Sequence, residues 1–575
     1  MNVKEEKKHI WKNYFFMIRN AGLPWGLIVA CLALSLLGAQ VALNTASQLE
    51  IAMGQFADMN EAIRPLLILF VYGVLGVLLK GVNTHLQGIL SAIIDRNVQR
   101  EAVNKIFYLK TIDLEKGDSR ELISRLSDDT VKNSAFLVDL FVNEIPRIYY
   151  SVSFFIRILK LKQPTLTISA LLIIPVIILC SMVAGRVFFA NRNAIQGKIA
   201  KVTAKLAEKI DNIELIKSYG TEEKEILSGD EVILELDKVK RQGALADQVG
   251  AFIKNMIWWI PVILMIVPPA LLKFKGEMDT AGFFAYIMLV TTFRTYVSEH
   301  LDLWNYLKQA QGATLSLSEI LQLDDERSEG KIEVPESGNI EFRNVSFNYG
   351  QGKVLDDVSF VIEKGKKTAI VGLSGSGKST ILNLIEKFYD PDAGEIRMAG
   401  KDVKDLQCKG YRNLFSYLPQ NAPAFSGTIR EVLNYSDEKP HSDEELHAVL
   451  QIVGLEKDIE KSGGLDHQIG YNGETLSGGQ RQKLGIARML LSDKEYVLLD
   501  EATSALDPEA TLNISEKIDE VCQGKTQILV AHDLSTVRNA DKILLIDKGR
   551  VLAQGTHQEL LKKVPFYAQL VKEVA

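Results

Sequence analysis

Cysteine is scarce in this sequence: Cys31, Cys180, Cys408 and Cys522 are the only four among 575 residues. None pairs as CxxC, which excludes a small disulfide scaffold and gives no sign of a metal site. They read as small buried hydrophobes. An excess of positive charge is also missing. Lysine and arginine number 66 against 72 acidic residues, for a net charge of −6, so nothing points to a nucleic-acid partner. Low apolar content is not among the deficits. At 47% apolar, the chain does not belong with disordered polypeptides. After His300 the long apolar runs stop. The near-zero mean hydropathy therefore averages a membrane-like half with a soluble-looking one. At about 100–200 residues per domain the length has room for at least two.

Six apolar runs approach the ~20 residues that cross ~30 Å of hydrocarbon. They are Leu27–Leu43, Pro65–Leu79, Val142–Leu159, Leu166–Phe189, Gly250–Leu272 and Ala281–His300. The long leader before the first carries Glu5 and Glu6, which does not suit a signal peptide. Lysines and arginines crowd the connections between spans two and three and between four and five. The other three connections hold only Arg64, Lys160, Lys162, Lys273 and Lys275. That asymmetry places both termini and the two long connections in the cytoplasm. Asn191–Gln248 has no proline; at ~1.5 Å per residue it predicts two helices reaching roughly 40 Å from the membrane. The spacing of Leu206, Ile210, Ile213 and Ile216 predicts that they pack as a bundle. Arg96–Leu140 reads similarly, with a break at Lys116–Ser119. A charged stretch punctuated by Gly, Pro and Ser, Leu323–Asn339, reads as a linker. The expected organisation is a membrane domain over 1–323, a linker over 324–338 and a soluble domain over 339–575.

The soluble half carries the chemistry. An apolar strand, Lys367–Val371, runs into GLSGSGKST, where Gly372, Leu373, Ser374, Gly375, Ser376, Gly377, Lys378 and Ser379 match G-x-x-x-x-G-K-[ST] and Thr380 follows. The glycines let backbone N–H groups wrap a triphosphate, and the helix that follows adds positive potential. Lys378 would neutralise phosphate and Ser379 would ligate Mg²⁺. A second apolar strand, Tyr496–Asp500, ends in a carboxylate suited to Mg²⁺, and Glu501 stands next to it as a general base. Leu476–Gln480 reads LSGGQ and opens another helical pattern, giving a second phosphate-facing helix start. His532 follows a third apolar strand, Gln527–Val530.

This combination resembles the ATP-binding cassette (ABC) half-transporters of the type IV exporter group, with the membrane domain fused ahead of the nucleotide-binding domain. The resemblance covers essentially the whole chain. It implies a fold of six transmembrane helices with long cytoplasmic extensions, followed by an α/β P-loop cassette binding ATP and Mg²⁺. It further implies that Tyr349 stacks on adenine, that Gln420 senses Mg²⁺ and the membrane domain, and that His532 is the switch histidine. Ser477, Gly478, Gly479 and Gln480 would contact the γ-phosphate of the opposite subunit, and Ser504–Asp507 would form the D-loop. Each ATP then needs two cassettes. Intact motifs favour a homodimer over a pairing with a similar half-transporter. Thr111–Glu121 and Asn212–Tyr219 look like the segments that press on the cassettes.

The expected activity is ATP-driven export of a peptide, drug-like or amphipathic molecule from the cytoplasm by alternating access, in a multi-pass cell-membrane protein surrounded by lipid. Alternatives are a lipid or lipid-conjugate flippase, an importer of exporter topology, and an ATP-gated channel or sensor. One position departs from the family: Tyr471 stands where exporters usually carry a glutamate. Counted at ~1.5 Å per residue, Lys80, Arg147 and Arg294 fall at similar depth in three spans. Doubled in a symmetric dimer, they predict a cavity that favours anionic groups, with Glu144, Glu299 and Asp302 as the carboxylates able to balance it.

Overall fold

The computed structural model describes residues 19, 22–56, 59–115, 129–328, 330, 332–335, 337–350, 352–436, 439–531 and 536–574. By its internal contacts the chain divides into two units. One comprises residues 1–104 and 120–322, the other residues 105–119 and 323–575. The described residues 105–115 thus belong with the second unit although they lie inside the membrane half of the sequence.

The first unit is helical. Its elements are α1 (Trp25–Gly54), α2 (Met59–Ile106), α4 (Thr130–Val138), α5 (Glu144–Lys160), α6 (Pro164–Asp211), α7 (Ile213–Tyr219), α8 (Glu222–Phe274) and α9 (Thr280–Gln322), while α3 (Thr111–Glu115) falls in the second unit. A π-helical turn, Asp139–Asn143, joins α4 to α5. Local chemistry sets the ends. Pro164 starts α6 at a position where its missing N–H costs nothing. Gly220, in the left-handed conformation at φ 59°, stops α7. Asp279 accepts the Gly282 N–H at 2.9 Å and so caps α9. Among the described residues, Trp25–Gly54 and Asn60–Ile106 are apolar and long enough to cross a membrane, and Pro164–Val176 and Met265–Phe274 are shorter apolar stretches. On α2, Leu67, Phe70, Val71, Val77 and Leu78 are all exposed. So continuous an apolar face suits lipid and not water. The interior of the unit is aromatic and aliphatic: Phe154 stacks on Phe293 with centroids 4.1 Å apart, beside buried Leu43, Tyr150 and Tyr286.

The expectation for the basic layer fails at Arg147. Its guanidinium donates to both oxygens of Asp139 at 2.9 Å and to Glu144 and Glu299 at 3.3 Å. With Asp139 and Glu144 buried beside it, this cation is already neutralised. His300 additionally pairs with Glu144.

The second unit is α/β. Its strands are β1 (Ile340–Asn348), β2 (Lys353–Ile362), β3 (Lys367–Val371), β4 (Ala393–Met398), β5 (Lys401–Asp402), β6 (Phe415–Leu418), β7 (Gly427–Thr428), β8 (Gln468–Ile469), β9 (Tyr496–Asp500), β10 (Thr526–Val530), β11 (Lys542–Asp547) and β12 (Arg550–Gly555). One sheet has the order β12-β11-β3-β10-β9-β6, parallel except for the β12 edge. Every residue of β9 and β10 is buried, as a parallel sheet covered on both faces requires. A second, antiparallel sheet has the order β2-β1-β4-β5. The helices that matter here are α10 (Lys378–Ile385), α11 (Cys408–Arg412), α12 (Gly478–Leu491) and α13 (Pro508–Val521). The charged stretch after α9 is not a free tether. Asp325 bridges to Leu109, Ile332 bridges to Leu406, and Gly338 donates its N–H to the Tyr496 hydroxyl at 2.7 Å.

Candidate nucleotide site

Ligands of open parallel sheets collect outside the carboxyl ends of the strands, and here β3, β9 and β10 end side by side. β3 turns into the loop Gly372–Gly377, which opens α10. Two glycines are dictated by space. A Cβ on Gly372 would sit 2.1 Å from the Ile546 carbonyl oxygen. On Gly377, at φ 102°, it would sit 2.7 Å from the Leu355 side chain. The outer side of the loop is open, since a Cβ on Gly375 would meet nothing within 4 Å.

Charge is held in reserve at this loop. Lys378 is buried and folds back, donating to the carbonyls of Gly372 and Leu373 at 3.0 Å each. Burial lowers its pKa, against the opposing influence of Glu501 and Asp500. Ser379 Oγ donates to Asp500 Oδ1 at 3.3 Å. Burial in turn raises the Asp500 pKa, while the Ser379 hydrogen bond and Lys378 oppose the rise. An ammonium and a carboxylate both kept from water are stabilised when an anion meets the first and a cation the second. Ser376 Oγ is buried with no hydrogen-bond partner, a further polar group in the same cradle that awaits one. The residues present therefore fit a phosphate chain with a hard, oxygen-bound cation.

Glu501 follows Asp500 at φ 50°, a conformation costly for a residue with a side chain. Its N–H donates to Val530 O at 3.0 Å, and Gln420 Nε2 donates to Glu501 Oε2 at 2.6 Å. Gln420 is thus brought to Glu501; among the described residues no hydrogen bond joins it to Ser379 or Asp500. Tyr349 is 42% exposed, with its ring edge-on to Phe347 and Tyr389 at 4.8 and 5.1 Å. Its hydroxyl donates to Thr380 Oγ1 at 3.4 Å and accepts from Asn383 Nδ2 at 3.3 Å. An open aromatic surface is thereby fixed beside the phosphate loop. His532 lies outside the described residues, as does the part of Thr111–Glu121 after Glu115.

The LSGGQ segment is a helix start. Ser477 caps α12, its Oγ accepting the Gln480 N–H at 3.2 Å while Gln480 Oε1 accepts the Ser477 N–H at 3.0 Å. Gly478 is exposed, and Gly479 lies so close to Ala505 that a Cβ would come within 3.2 Å of its carbonyl oxygen. Asp507 caps α13, accepting the Ala510 N–H at 3.1 Å. Among the described residues no hydrogen bond joins Ser477–Gln480 to Gly372–Thr380 of the same chain. Tyr471 sits on a short 3₁₀ turn leading into this segment and is 76% exposed.

Sequence reasoning missed Gln482. It is buried on α12, donates Nε2 to Glu501 O at 3.1 Å and to Ser504 Oγ at 3.3 Å, and accepts the Ala505 N–H at 2.9 Å. One amide thereby ties α12 to Glu501 and to the start of the Ser504–Asp507 segment. A signal was present: Gln482 stands on the same helical face as Gly485, Ile486 and Met489, an amide on an otherwise apolar stripe.

A helical membrane unit followed by a P-loop cassette with a strand-end carboxylate pair defines an ATP-binding multi-pass membrane transporter. The comparisons agree. Residues 25–297 match the ABC transporter transmembrane region and residues 355–504 match the ABC transporter domain. An ATP-dependent lipid A-core flippase of Vibrio vulnificus is 30% identical over 85% of this chain and 84% of its own length. One of Haemophilus ducreyi is 31% identical over 97% of both. A multidrug resistance ABC transporter ATP-binding and permease protein of Lactococcus lactis is 28% identical over 84% of this chain and 83% of its own length. The fold is similar to that of a bacterial Atm1-family ABC exporter solved with ATP bound, at a TM-score of 0.86 and 22% identity over 97% of this chain and 99% of the other. The chain belongs to the ABC transporter family, in the half-transporter layout of one membrane unit and one cassette.

Proposed function

We propose that the chain is an ATP-hydrolysing exporter that works as a homodimer, with its cassette and both termini in the cytoplasm. The observation that carries this reading is the cluster at the ends of β3 and β9: Lys378 on the phosphate loop, Ser379 on Asp500, and Gln420 on Glu501. Ser379 and Asp500 would hold Mg²⁺, which when bound neutralises phosphate charge. Gln420, next to them in the site, would sense it. Lys378 binds phosphate, and the exposed face of Tyr349 receives the adenine. Glu501 orients the attacking water and takes its proton. Gln420 holds the Glu501 carboxylate in place until nucleotide and water arrive. Ser477–Gln480 make no bond to their own phosphate loop, which supports the reading that they complete the site of a second copy.

The substrate we infer is amphipathic: a peptide, a drug-like molecule or a lipid. Relatives named as lipid A-core flippases favour the lipid as a second reading, and a relative named for multidrug resistance favours drug-like compounds. The test uses protein reconstituted in vesicles of phosphatidylethanolamine and phosphatidylglycerol. Wild type should hydrolyse ATP, and Glu501→Gln should bind ATP yet turn over ~10²–10⁴-fold more slowly. Undiminished hydrolysis by that variant would refute the assignment. ATP-driven movement of a fluorescent phospholipid in the same vesicles, compared with that of a fluorescent organic cation, separates the two substrate classes.

A further inference from the structure

Beyond Ile106, where α2 ends, the chain passes through Tyr108 and Leu109 to α3, and this turn is bonded to the residues that follow α9. Leu109 and Asp325 form an antiparallel bridge, and the Glu326 N–H donates to Tyr108 O at 2.9 Å. The Arg327 guanidinium lies 4.3 Å from the centre of the Tyr108 ring. Lys105 donates to Asp325 at 3.1 Å. Arg327, with Lys105 beside it, pulls the Asp325 carboxyl down to about 2. One residue further, Glu326 receives a two-pronged contact from Arg412 on α11, with Nη1 and Nη2 donating to its oxygens at 2.6 and 2.8 Å. The same guanidinium reaches the other way. Its Nε donates to Glu386 O at 2.9 Å and its Nη2 to Lys387 O at 2.8 Å. Those carbonyls close α10, the helix whose opposite end carries Lys378 and Ser379. A cation suits that end because the helix dipole is negative there. Paired, two-pronged and charge-assisted, this contact is of the strong kind and unlike a frayed surface ion pair.

We propose that Arg412 is a positioning residue that joins the carbonyl end of α10 to Glu326, and through Glu326 to the Tyr108–Leu109 turn, so that nucleotide at the phosphate loop is felt by the turn after α2. A helix as short as α10, ~12 Å at ~1.5 Å per residue, moves as one body, so a pull at Lys378 reaches Glu386 undiminished. Coupling of this kind is reciprocal. A displacement of the turn also changes how α10 presents Lys378. The proposal rests on the reading that Lys378 and Ser379 hold ATP.

Full-length protein in phosphatidylethanolamine and phosphatidylglycerol vesicles is followed by hydrogen exchange, with and without a saturating non-hydrolysable ATP analogue. In wild type the analogue should slow exchange of the amides at Tyr108, Leu109 and Glu326. In Glu326→Ala that nucleotide-dependent difference should shrink by at least about fivefold, the low end of ordinary coupling, with the analogue still at saturating concentration. Glu326→Gln, which keeps shape and loses charge, should fall between the two, and it secures the test if the alanine variant folds poorly. Glu326→Asp should restore much of the response. A turn that ignores the analogue in wild type, or responds equally in Glu326→Ala, overturns the proposal. Loss of analogue binding in wild type would instead overturn the nucleotide-site reading on which it rests.

Discussion

Replacing Gln482 by methionine keeps the length and bulk of the side chain while deleting its three hydrogen bonds to Glu501, Ser504 and Ala505. Ser504 and Ala505 are exposed, so water compensates part of what they lose. A net ~1 kcal/mol per bond then puts the lost restraint at ~2–3 kcal/mol. Against it stands the strain of Glu501 at φ 50°, worth ~1–3 kcal/mol for a residue held in a sparsely populated region. The two are of the same size, so without the clamp the strained geometry no longer dominates. Glu501 then spends only a fraction of its time where its carboxylate can meet the attacking water. At ~1.4 kcal/mol per factor of ten, kcat for ATP hydrolysis should fall about 10–100-fold. Lys378, Ser379 and Tyr349, the residues proposed to hold ATP, are untouched, so KM should stay within about threefold. Phosphate release measured across an ATP titration separates the two constants. Gln482→Glu adds a second comparison, because it keeps an acceptor for Ala505 and loses both donors; it should be slow as well. A folded Gln482→Met protein with wild-type kcat would show that the amide only packs.

Two further outcomes follow from the same geometry. Lys378→Ala removes the buried ammonium from the phosphate loop and should weaken ATP binding by about tenfold or more, as expected for a lost charge-assisted contact; unchanged affinity in a direct titration contradicts the role. Glu386 is buried, and burial pushes its carboxyl up to about 8, with Arg412 opposing the rise. The folded state therefore holds that proton more tightly than the unfolded chain. The stability linked to it is complete below the ordinary carboxyl range and is lost as pH rises toward 8, at ~1.4 kcal/mol per unit. Glu386→Gln should be less sensitive, losing less thermal stability between about pH 5.5 and about pH 8 than wild type; equal losses would mean that Glu386 is not the titrating group.

The nucleotide loop was legible because its chemistry is local. A strand, a glycine-rich turn and a helix start are contiguous, so the pattern is complete in the sequence, although the space that forces Gly372 and Gly377 is set by Ile546 and Leu355 on other strands. Asp500 and Glu501 were legible for the same reason, as carboxylates closing an apolar strand. Gln482 was harder, because its partners at Glu501–Ala505 lie on another element and only the fold brings them together. The Arg412–Glu326 contact has no local sign at all. In the sequence Glu326 is one charge in a run that reads as a tether, and Arg412 is one cation among many. Their two-pronged geometry exists only because the residues after α9 fold back to Arg412 on α11. Composition reports how polar a segment is; it does not report which single carbonyls the segment will find.

The expectation of a cation facing the cavity fails at Arg147 for a different reason, one of helical register. Counting from the boundary placed Arg147 by depth and found Glu144 three residues away, yet it passed over Asp139, which precedes the apolar run. In an unbroken α-helix at ~100° per residue, positions eight apart lie ~80° around the axis from each other. The π-helical turn at Asp139–Asn143 has more residues per turn than an α-helix, so each advances through a smaller angle and the offset shrinks. Asp139 then presents both oxygens to Arg147 at 2.9 Å, and α9 adds Glu299 from across the bundle at 3.3 Å. Three carboxylates on one guanidinium leave no surplus positive charge at Arg147, so an anionic substrate group would have to displace a two-pronged bond already made there. What Arg147 does in the membrane unit is hold α5 to α9 through Glu299.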